Sequence, residues 1–431
     1  MAPTDPPRSY AAALAAFLAD RDGTEYDPST GFSQETLLSI TPEQIQAYFN
    51  KKAYGTPTPT ADMKPTLARA NTLMDIKKKM SRFMVYKDMP WHPITRQGNP
   101  TKSPKVNDLI KSIKKAEVRH EGKVAQATRP FTLSEFLSVL DLVATVRGED
   151  AVARYRAIST LQWQLIAWIT CVQHLTVESI VLQPGLPGVL FANIRWSKNV
   201  HEERDSPTQC LFASMDPRLC CNIAFASHAK YFFSGHATTT PSTPIFGYGK
   251  PSDDSWAQTV LRKIIASENF VPDSRVSGIL GTHGIRKGAS TYIAKKGISR
   301  EYVKLRGRWA MRTGVVDKYV GIDLPVPDAK AAFALAGPNG PCRYAVKDEV
   351  ATEVTEEFLL AVVVPNIARV FGKEIALVLS RALLFAVFEC PERVPSSIVE
   401  QIRTEMDRRQ ISSSVNPIRR VSFVVVQEDD Q

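Results

Sequence analysis

The most informative stretch of this chain is GTHGIRKGASTYIAKKG, residues 281–297. Its pattern predicts a helix with Thr282 as its N-cap and Gly297 as its stop signal. His283 and Arg286, three residues apart, would then share one face close to the helix N-terminus. Backbone N–H groups and the helix dipole favour an anion at that end.

The two side chains have chemistry that suits a phosphate group. The arginine offers a planar fork that binds phosphate through two hydrogen bonds, and the histidine exchanges a proton near neutral pH. The motif H-x-x-R is short, and a structural role for either side chain is the alternative when the motif stands alone.

Length and composition limit the class of protein. The 431 residues exceed one compact core, so two or three domains are expected. The six cysteines form no CxxC pair, which argues against a zinc ribbon or a disulfide framework and favours a reducing compartment. The segment HEERD (201–205) does not match H-E-x-x-H, so no metal site is predicted. The apolar run Ile375–Phe388 is too short to span a bilayer and predicts a buried helix, and the N-terminus lacks a signal-peptide pattern.

The positive charge of the chain is concentrated in one segment. The formal net charge is +10, and residues 51–130 hold 18 Lys and Arg against 6 Asp and Glu. Such a patch suits a polyanion, most simply nucleic acid, with a solvated surface as the alternative. The pattern predicts two amphipathic helices, one at 66–86 and one that begins at Ser103–Pro104. Each would present cations on the face opposite its apolar stripe. With Lys287 of the later helix, the candidate DNA-binding residues are Lys77, Lys78, Lys79, Arg82, Lys105, Lys111, Lys114, Lys115 and Arg119.

Local signals also predict the domain organisation. Thr132 and Glu135 have capping-box spacing and start a second domain after a linker. Residues 188–214 predict a strand, a polar turn and a strand, with Lys198 at the turn end of the first strand. The predicted fold is mainly α with a small antiparallel sheet. Its parts are an N-terminal region (1–54), a basic helical domain (55–128), an α+β domain (129–330) and a helical C-terminal extension (331–431).

The order of five residues carries a family resemblance. Lys198, His283, Arg286, Trp309 and Tyr319 follow one another as in the tyrosine recombinases, also called the phage-integrase family. The sequence resembles that family, which implies a core-binding domain and a catalytic domain, with these five as catalytic residues. Taken singly, each could have a packing or surface role.

A closer resemblance is to the Crypton class of eukaryotic DNA transposons. Three stretches carry it: GNPTKSPKVNDLIKSIKKAEVRHEG, FASMDPRLCCNIAFASHAKYFF and THGIRKGASTYIA. The likeness spans about residues 60–330. It implies a nuclear protein that works on double-stranded DNA as a homo-oligomer, exchanges strands through a 3′-phosphotyrosine intermediate and needs no cofactor.

One position departs from the family pattern. The first catalytic arginine of the family belongs in the stretch 170–183, and His174, Leu175 or Thr176 stands there instead. Three interpretations follow: a recombinase or transposase that is impaired unless another group replaces that arginine, a transposon-derived DNA-binding protein without activity, and a type IB topoisomerase-like nicking enzyme.

Overall fold

The computed structural model describes residues 8–29, 31–124, 128–183, 186–195, 206, 208–235, 238–247, 255–276, 278–309, 325–347, 353–411 and 415–418. The chain forms two compact units, Met1–Gln126 and Ala127–Gln431. Lys198 and Tyr319 lie outside the described residues.

The first unit is helical and has one core. Leu14 and Phe17 from the beginning of the chain are buried in the same cluster as Leu73 and Ile113 of the basic helices. Described residues of the 1–54 stretch therefore share a core with the two basic helices. The helices are α1 (Arg8–Asp22), α2 (Gln34–Leu38), α3 (Pro42–Tyr54), α4 (Ala70–Ser81) and α5 (Pro104–Val118).

The second unit is built around α7 and α9, which pack on each other, and α16 packs on α9. The C-terminal extension shares this core: Leu379 and Leu383 are fully buried in the same cluster as Ile158 and Phe225. The helices are α6 (Leu133–Val146), α7 (Glu149–Gln164), α8 (Ile169–Gln173), α9 (Cys221–Phe232), α10 (Trp256–Ile265), α11 (Thr282–Lys295), α12 (Arg300–Gly307), α13 (Pro325–Leu335), α14 (Glu356–Phe358), α15 (Pro365–Phe371), α16 (Lys373–Glu389) and α17 (Ser396–Arg408).

Two small antiparallel sheets complete the second unit. The predicted hairpin is present, since Phe191 pairs with Cys210 in an antiparallel register. The second sheet brings strands from the C-terminal extension to the chain that follows the hairpin. The mainly helical fold with a small antiparallel sheet is confirmed, and the second sheet was not predicted. The strands, in sheet order, are β1 (Ile180–Leu182), β2 (Leu190–Ala192) and β3 (Gln209–Leu211), then β4 (Ala213–Ser214), β5 (Pro341–Val346) and β6 (Val415–Ile418).

Most of the predicted helix ends agree with the structure. The Ser103 hydroxyl caps α5 with Pro104 in its first turn, and Thr132 and Glu135 form the predicted capping box at α6. The N-cap of α11 is Gly281, so the prediction of Thr282 as the cap is wrong by one residue. Helix α4 is shorter than the predicted 66–86.

Two further predictions from composition concern the state of the cysteines and the apolar run Ile375–Phe388. All six cysteines are buried and free of disulfides. The apolar run forms most of α16, whose inner face is buried as predicted. Among the described helices, none is long and apolar enough to cross a membrane.

Candidate functional site

Helix α11 lies against the segment that enters the second unit. The carbonyl of Gly284 accepts a hydrogen bond from the Phe131 N–H at 3.0 Å. A Cβ on Gly284 would lie 2.6 Å from the Arg129 carbonyl oxygen, and one on Gly288 would lie 2.5 Å from that of Phe131. Glycine at both positions therefore permits this close approach, which fixes the position of the helix.

The end of α7 holds the start of α11. The amide Nε2 of Gln162 donates to the Thr282 carbonyl at 2.9 Å. The chain then turns sharply at Ile166, which has a φ of 45°. This left-handed conformation is rare for a β-branched residue. The turn leads to Trp168 at the beginning of α8.

Trp168 forms one wall of the site. Its ring stacks on the imidazole of His283, with centroids 4.4 Å apart and planes 8° from parallel. The same indole lies 4.9 Å from the Arg286 guanidinium carbon. The two predicted residues of the H-x-x-R motif are thus held side by side on one aromatic surface.

Trp309 forms a second wall. Its ring lies 4.5 Å from the Arg286 guanidinium carbon, so the cation is within cation–π distance of two indoles. A Cβ on Gly307 would lie 2.0 Å from the Trp309 ring, and glycine there lets the indole pack onto the end of α12. Cation–π attraction of this kind grows stronger where water is excluded.

Arg286 is buried, and its charge is incompletely compensated within the described structure. The residue is 1% exposed and donates from Nη2 to the Gly307 carbonyl. Its Nε has no hydrogen-bond partner among the described residues. Burial lowers the pKa of Arg286 to about 10, which leaves it a cation at neutral pH.

Two further arginines lie close by. Arg306 is 1% exposed and donates to an Asp328 carboxylate oxygen at 2.5 Å and to the Cys210 carbonyl at 2.7 Å. Arg308 is 6% exposed and donates to Gln209 Oε1 at 2.5 Å. The sequence analysis selected Trp309 and not its neighbour Arg308, because only the tryptophan belongs to the ordered set of five residues.

The stretch in which the family's first arginine was sought is occupied by other contacts. The Thr176 hydroxyl lies 3.0 Å from Ser179 Oγ, and His174 Nδ1 lies 2.7 Å from the Thr170 carbonyl oxygen. Nearby arginines are engaged elsewhere. Arg154 lies over Trp256, Arg156 donates to the Leu140 and Glu392 carbonyls, and Arg195 faces Glu178 at 3.9 Å.

The proposed DNA-contacting lysines differ in exposure. Lys287 Nζ donates to the Thr128 carbonyl at 2.6 Å and so ties α11 to the entering segment. Lys77 and Lys79 of α4 are half-buried, the first against Asn107 and the second beside Asp75. The exposed members of the set are Lys78, Arg82, Lys105, Lys111, Lys114, Lys115 and Arg119. The described residues hold no group of three His, Cys, Asp or Glu that could bind a metal.

Comparison with known proteins gives a structural likeness and no match in sequence. No protein-family model and no curated protein matches the chain. The fold is similar to Flpe in a Holliday junction complex, at 12% identity and a TM-score of 0.40, over 87% of this chain and 96% of that one. It is also similar to the FLP recombinase in a Holliday junction complex, at 11% identity and a TM-score of 0.40, over 88% and 97% of the two chains.

A third similar structure is the XerH site-specific recombinase bound to its difH substrate in a pre-cleavage complex. The identity is 9% and the TM-score 0.30, over 73% of this chain and 92% of that one. Because all these values are low, the roles of residues in this chain rest on its own geometry.

Proposed function

We propose that this protein is a site-specific DNA recombinase or transposase of the tyrosine-recombinase type. The observation that carries the proposal is the meeting of His283, Arg286 and Trp309 at one place. The three were selected from their order in the sequence, and two lie on α11 while the third follows α12. His283 and Arg286 contact the same indole, that of Trp168, and Trp309 contacts Arg286, which a chance set of structural residues would not be expected to do.

The resemblance to the tyrosine recombinases implies the chemistry of this proposal. Tyr319 attacks a DNA phosphate and passes its hydroxyl proton to His283, its Oη–P bond forms and the P–O5′ bond breaks. Lys198 gives a proton to the departing 5′ oxygen, while His283 and Arg286 hold the non-bridging oxygens as charge builds. A 5′-hydroxyl of another strand then attacks the phosphotyrosine and releases Tyr319. The ester retains the energy of the broken bond, so the cycle consumes no nucleotide cofactor.

The proposed partner is double-stranded DNA. The exposed cations of α5, with Lys78 of α4 and Arg82 just after that helix, would contact phosphates without reading sequence. Exchange of strands requires two duplexes and at least two catalytic chains, so we propose a homo-oligomer on DNA. The three stretches that resemble the Crypton class support placing the protein in that class and in the nucleus.

A second candidate function is DNA binding without catalysis. It is favoured by the lack of an arginine at residues 174–176 and by the engagement of Arg154, Arg156 and Arg195 in other contacts. Removing one stabilising group from the transition state of such a reaction lowers the rate by about 10²–10³. A chain without that group would retain affinity for DNA and form product far more slowly.

The test is a search for a covalent protein–DNA complex on denaturing gels. The wild type and Tyr319→Phe are each incubated with nicked duplexes taken from the DNA that flanks the coding sequence. We expect an adduct with the wild type alone and equal DNA affinity for both proteins. An adduct that survives in Tyr319→Phe would exclude this nucleophile. Binding without any adduct would favour the second function. Relaxation of supercoiled plasmid without exchange of strands between two duplexes would favour a type IB topoisomerase-like enzyme.

A further inference from the structure

A cavity of about 680 Å³ lies between the C-terminal extension and the start of α7. The loop 391–395 and one face of α17 form one side of it, and the end of α6 with the first two turns of α7 forms the other. Cavities of this size, with mainly apolar walls and a few polar groups, are typical of sites for small molecules. The apolar part of the lining includes Val152, Ala153, Pro391, Val394, Pro395 and Val399.

Three arginines line this cavity, and each keeps an N–H group without an acceptor among the described residues. Arg156 is only 7% exposed, and it donates from Nε to the Leu140 carbonyl and from Nη1 to the Glu392 carbonyl, which leaves its Nη2 group. Nε of Arg147 and Nη1 of Arg393 are buried and have no hydrogen-bond partner there. An oxyanion that entered the cavity would therefore find unused donors.

The charge of Arg156 is not matched by a carboxylate. Arg393 forms ion pairs with Asp141 and Glu392, whereas no described carboxylate forms one with Arg156. Burial, followed by the positive charge of Arg393, lowers the pKa of Arg156 to about 10, and the charges of Asp141 and Glu392 oppose this more weakly. Arg156 thus remains a cation at neutral pH. Its two backbone carbonyls supply only partial charges, so the buried cation favours the arrival of an anion.

Acidic side chains at the edge of the cavity limit the kind of anion that can bind. Glu149 also lines the cavity and accepts from the Ser396 N–H at 2.9 Å, while Glu400 and Asp407 are exposed on α17. These carboxylates would repel a ligand with several negative charges, such as nucleic acid. The described lining residues also include no aromatic ring on which a base could stack. A single carboxylate on an aliphatic body suits both the arginines and the apolar walls.

We propose that this cavity binds an aliphatic monocarboxylate. Arg156 and Arg147 hold the carboxylate, and the aliphatic chain lies against the apolar walls, including Val399 of α17. The site goes beyond the DNA function proposed above and does not depend on it. Because the ligand would contact both α7 and α17, its binding should stabilise the packing of the C-terminal extension on the rest of the second unit.

The ligand class is tested with three probes on the full chain, by isothermal titration calorimetry and thermal unfolding. Sodium octanoate should bind and raise the melting temperature. Acetate, which has the carboxylate without the chain, and 1-octanol, which has the chain without the carboxylate, should do neither at the same concentrations. Absence of octanoate binding would overturn the proposal. Binding of acetate or 1-octanol with the affinity of octanoate would equally overturn the assigned ligand class.

Arg147→Gln tests the place of the carboxylate with little risk to folding. Arg147 is half-buried and takes part in no ion pair or hydrogen bond among the described residues. Its loss should weaken octanoate binding about tenfold, because a hydrogen bond between charged groups disappears. Arg408→Gln removes one exposed charge from α17 outside the cavity and should keep the wild-type affinity. Equal affinity in the wild type and Arg147→Gln would contradict the site.

A second pair of variants tests the apolar wall and the acidic edge. Val399→Asp places a negative charge at a partly buried position where the aliphatic chain should lie, so octanoate binding should be lost. Glu400→Gln removes one repelling carboxylate from the edge and should bind octanoate at least as tightly as the wild type. A folded Val399→Asp protein that binds octanoate with the wild-type affinity would show that the ligand lies elsewhere. DNA affinity should stay unchanged in both variants, which separates this site from the proposed function.

Discussion

The two units of this protein use positive charge in opposite ways. In the first unit, the cations of α5 extend into water, and Lys111 keeps 73% of its side chain exposed although it pairs with Asp108. In the second unit, Arg129, Arg286 and Arg306 are enclosed by protein. The difference shows at which positions one positively charged residue can replace another. An exposed lysine acts through the summed field and is screened by salt, whereas a buried arginine depends on the individual atoms around it.

The largest effect should come from Arg306. The change Arg306→Gln leaves Asp328 without its cation and the carbonyls of Gln164 and Cys210 without their donor. We expect the free energy of unfolding to fall by about 3–5 kcal/mol, measured by urea unfolding. Lys111→Gln, at an exposed pair, should cost less than about 1 kcal/mol. Equal losses would break the distinction between the two units.

Glu135 tests the same difference between buried and exposed charges, because its contribution to stability depends on pH. Burial opposes its charge, but hydrogen bonds from Arg129 and from the N–H groups of Asp273 and Thr132 prevail and lower the pKa of Glu135 to about 2 from its usual 4.5. Because the folded-state pKa is depressed, its contribution is complete above about pH 4.5 and is lost as the pH falls towards 2.

We therefore expect Glu135→Gln to cost about 3 kcal/mol at pH 7 and clearly less at pH 3. The measurement is the urea midpoint of both proteins at each pH. Glu43→Gln is the matched control, because Glu43 pairs with Lys105 at the surface with 64% of its side chain exposed. A cost for Glu135→Gln that does not change between pH 7 and pH 3 would contradict the prediction.

The packing of α11 should give a smaller effect. Gly288→Ala adds a methyl group 2.5 Å from the Phe131 carbonyl oxygen, so the helix must move. We expect a loss of about 1–3 kcal/mol by thermal unfolding, and slower formation of the covalent adduct because α11 carries His283 and Arg286. Gly235→Ala, which meets no atom within 4 Å, should leave both unchanged. If Gly288→Ala left the stability unchanged, α11 would not be packed tightly against the backbone at Phe131.

The exposed lysines should matter least to folding. Changing Lys111, Lys114 and Lys115 together to Gln should shift the unfolding free energy by less than about 1 kcal/mol. DNA binding should weaken equally for all sequences, and the slope of log affinity against log salt should fall by about one unit for each DNA phosphate that is no longer bound. Lys51 and Lys52 at the end of α3 serve as a paired control. An unchanged slope would mean that α5 does not contact DNA.

The features that the sequence predicted well depend on neighbours along the chain. Ser103 caps α5 and Thr132 and Glu135 cap α6, because each interaction spans three residues and has a recognisable sequence pattern. The hairpin of β2 and β3 followed from alternation on both sides of a polar turn. His283 and Arg286 were found for the same reason, since their spacing alone places them on one face of α11.

The features that were missed depend on contacts between distant parts of the chain. Trp168 was not selected from the sequence, and it meets His283 only because the chain turns at Ile166 after the end of α7. The pairing of β4 with β5 joins residues more than a hundred positions apart, and nothing in the sequence of either strand indicates the other. Leu67 was assigned to the apolar stripe of α4, but the helix begins at Ala70 and Leu67 is exposed.

The six buried thiols have a practical consequence for studies of this protein. Burial raises the pKa of Cys210, Cys220, Cys221, Cys342 and Cys390, so these side chains are both shielded from reagents and slow to form the reactive thiolate. Cys171 is buried as well. A single cysteine introduced at an exposed position, such as Val118→Cys at the end of α5, should take a maleimide dye while the native thiols stay intact. Fluorescence on single molecules could then follow the first unit in the otherwise natural chain.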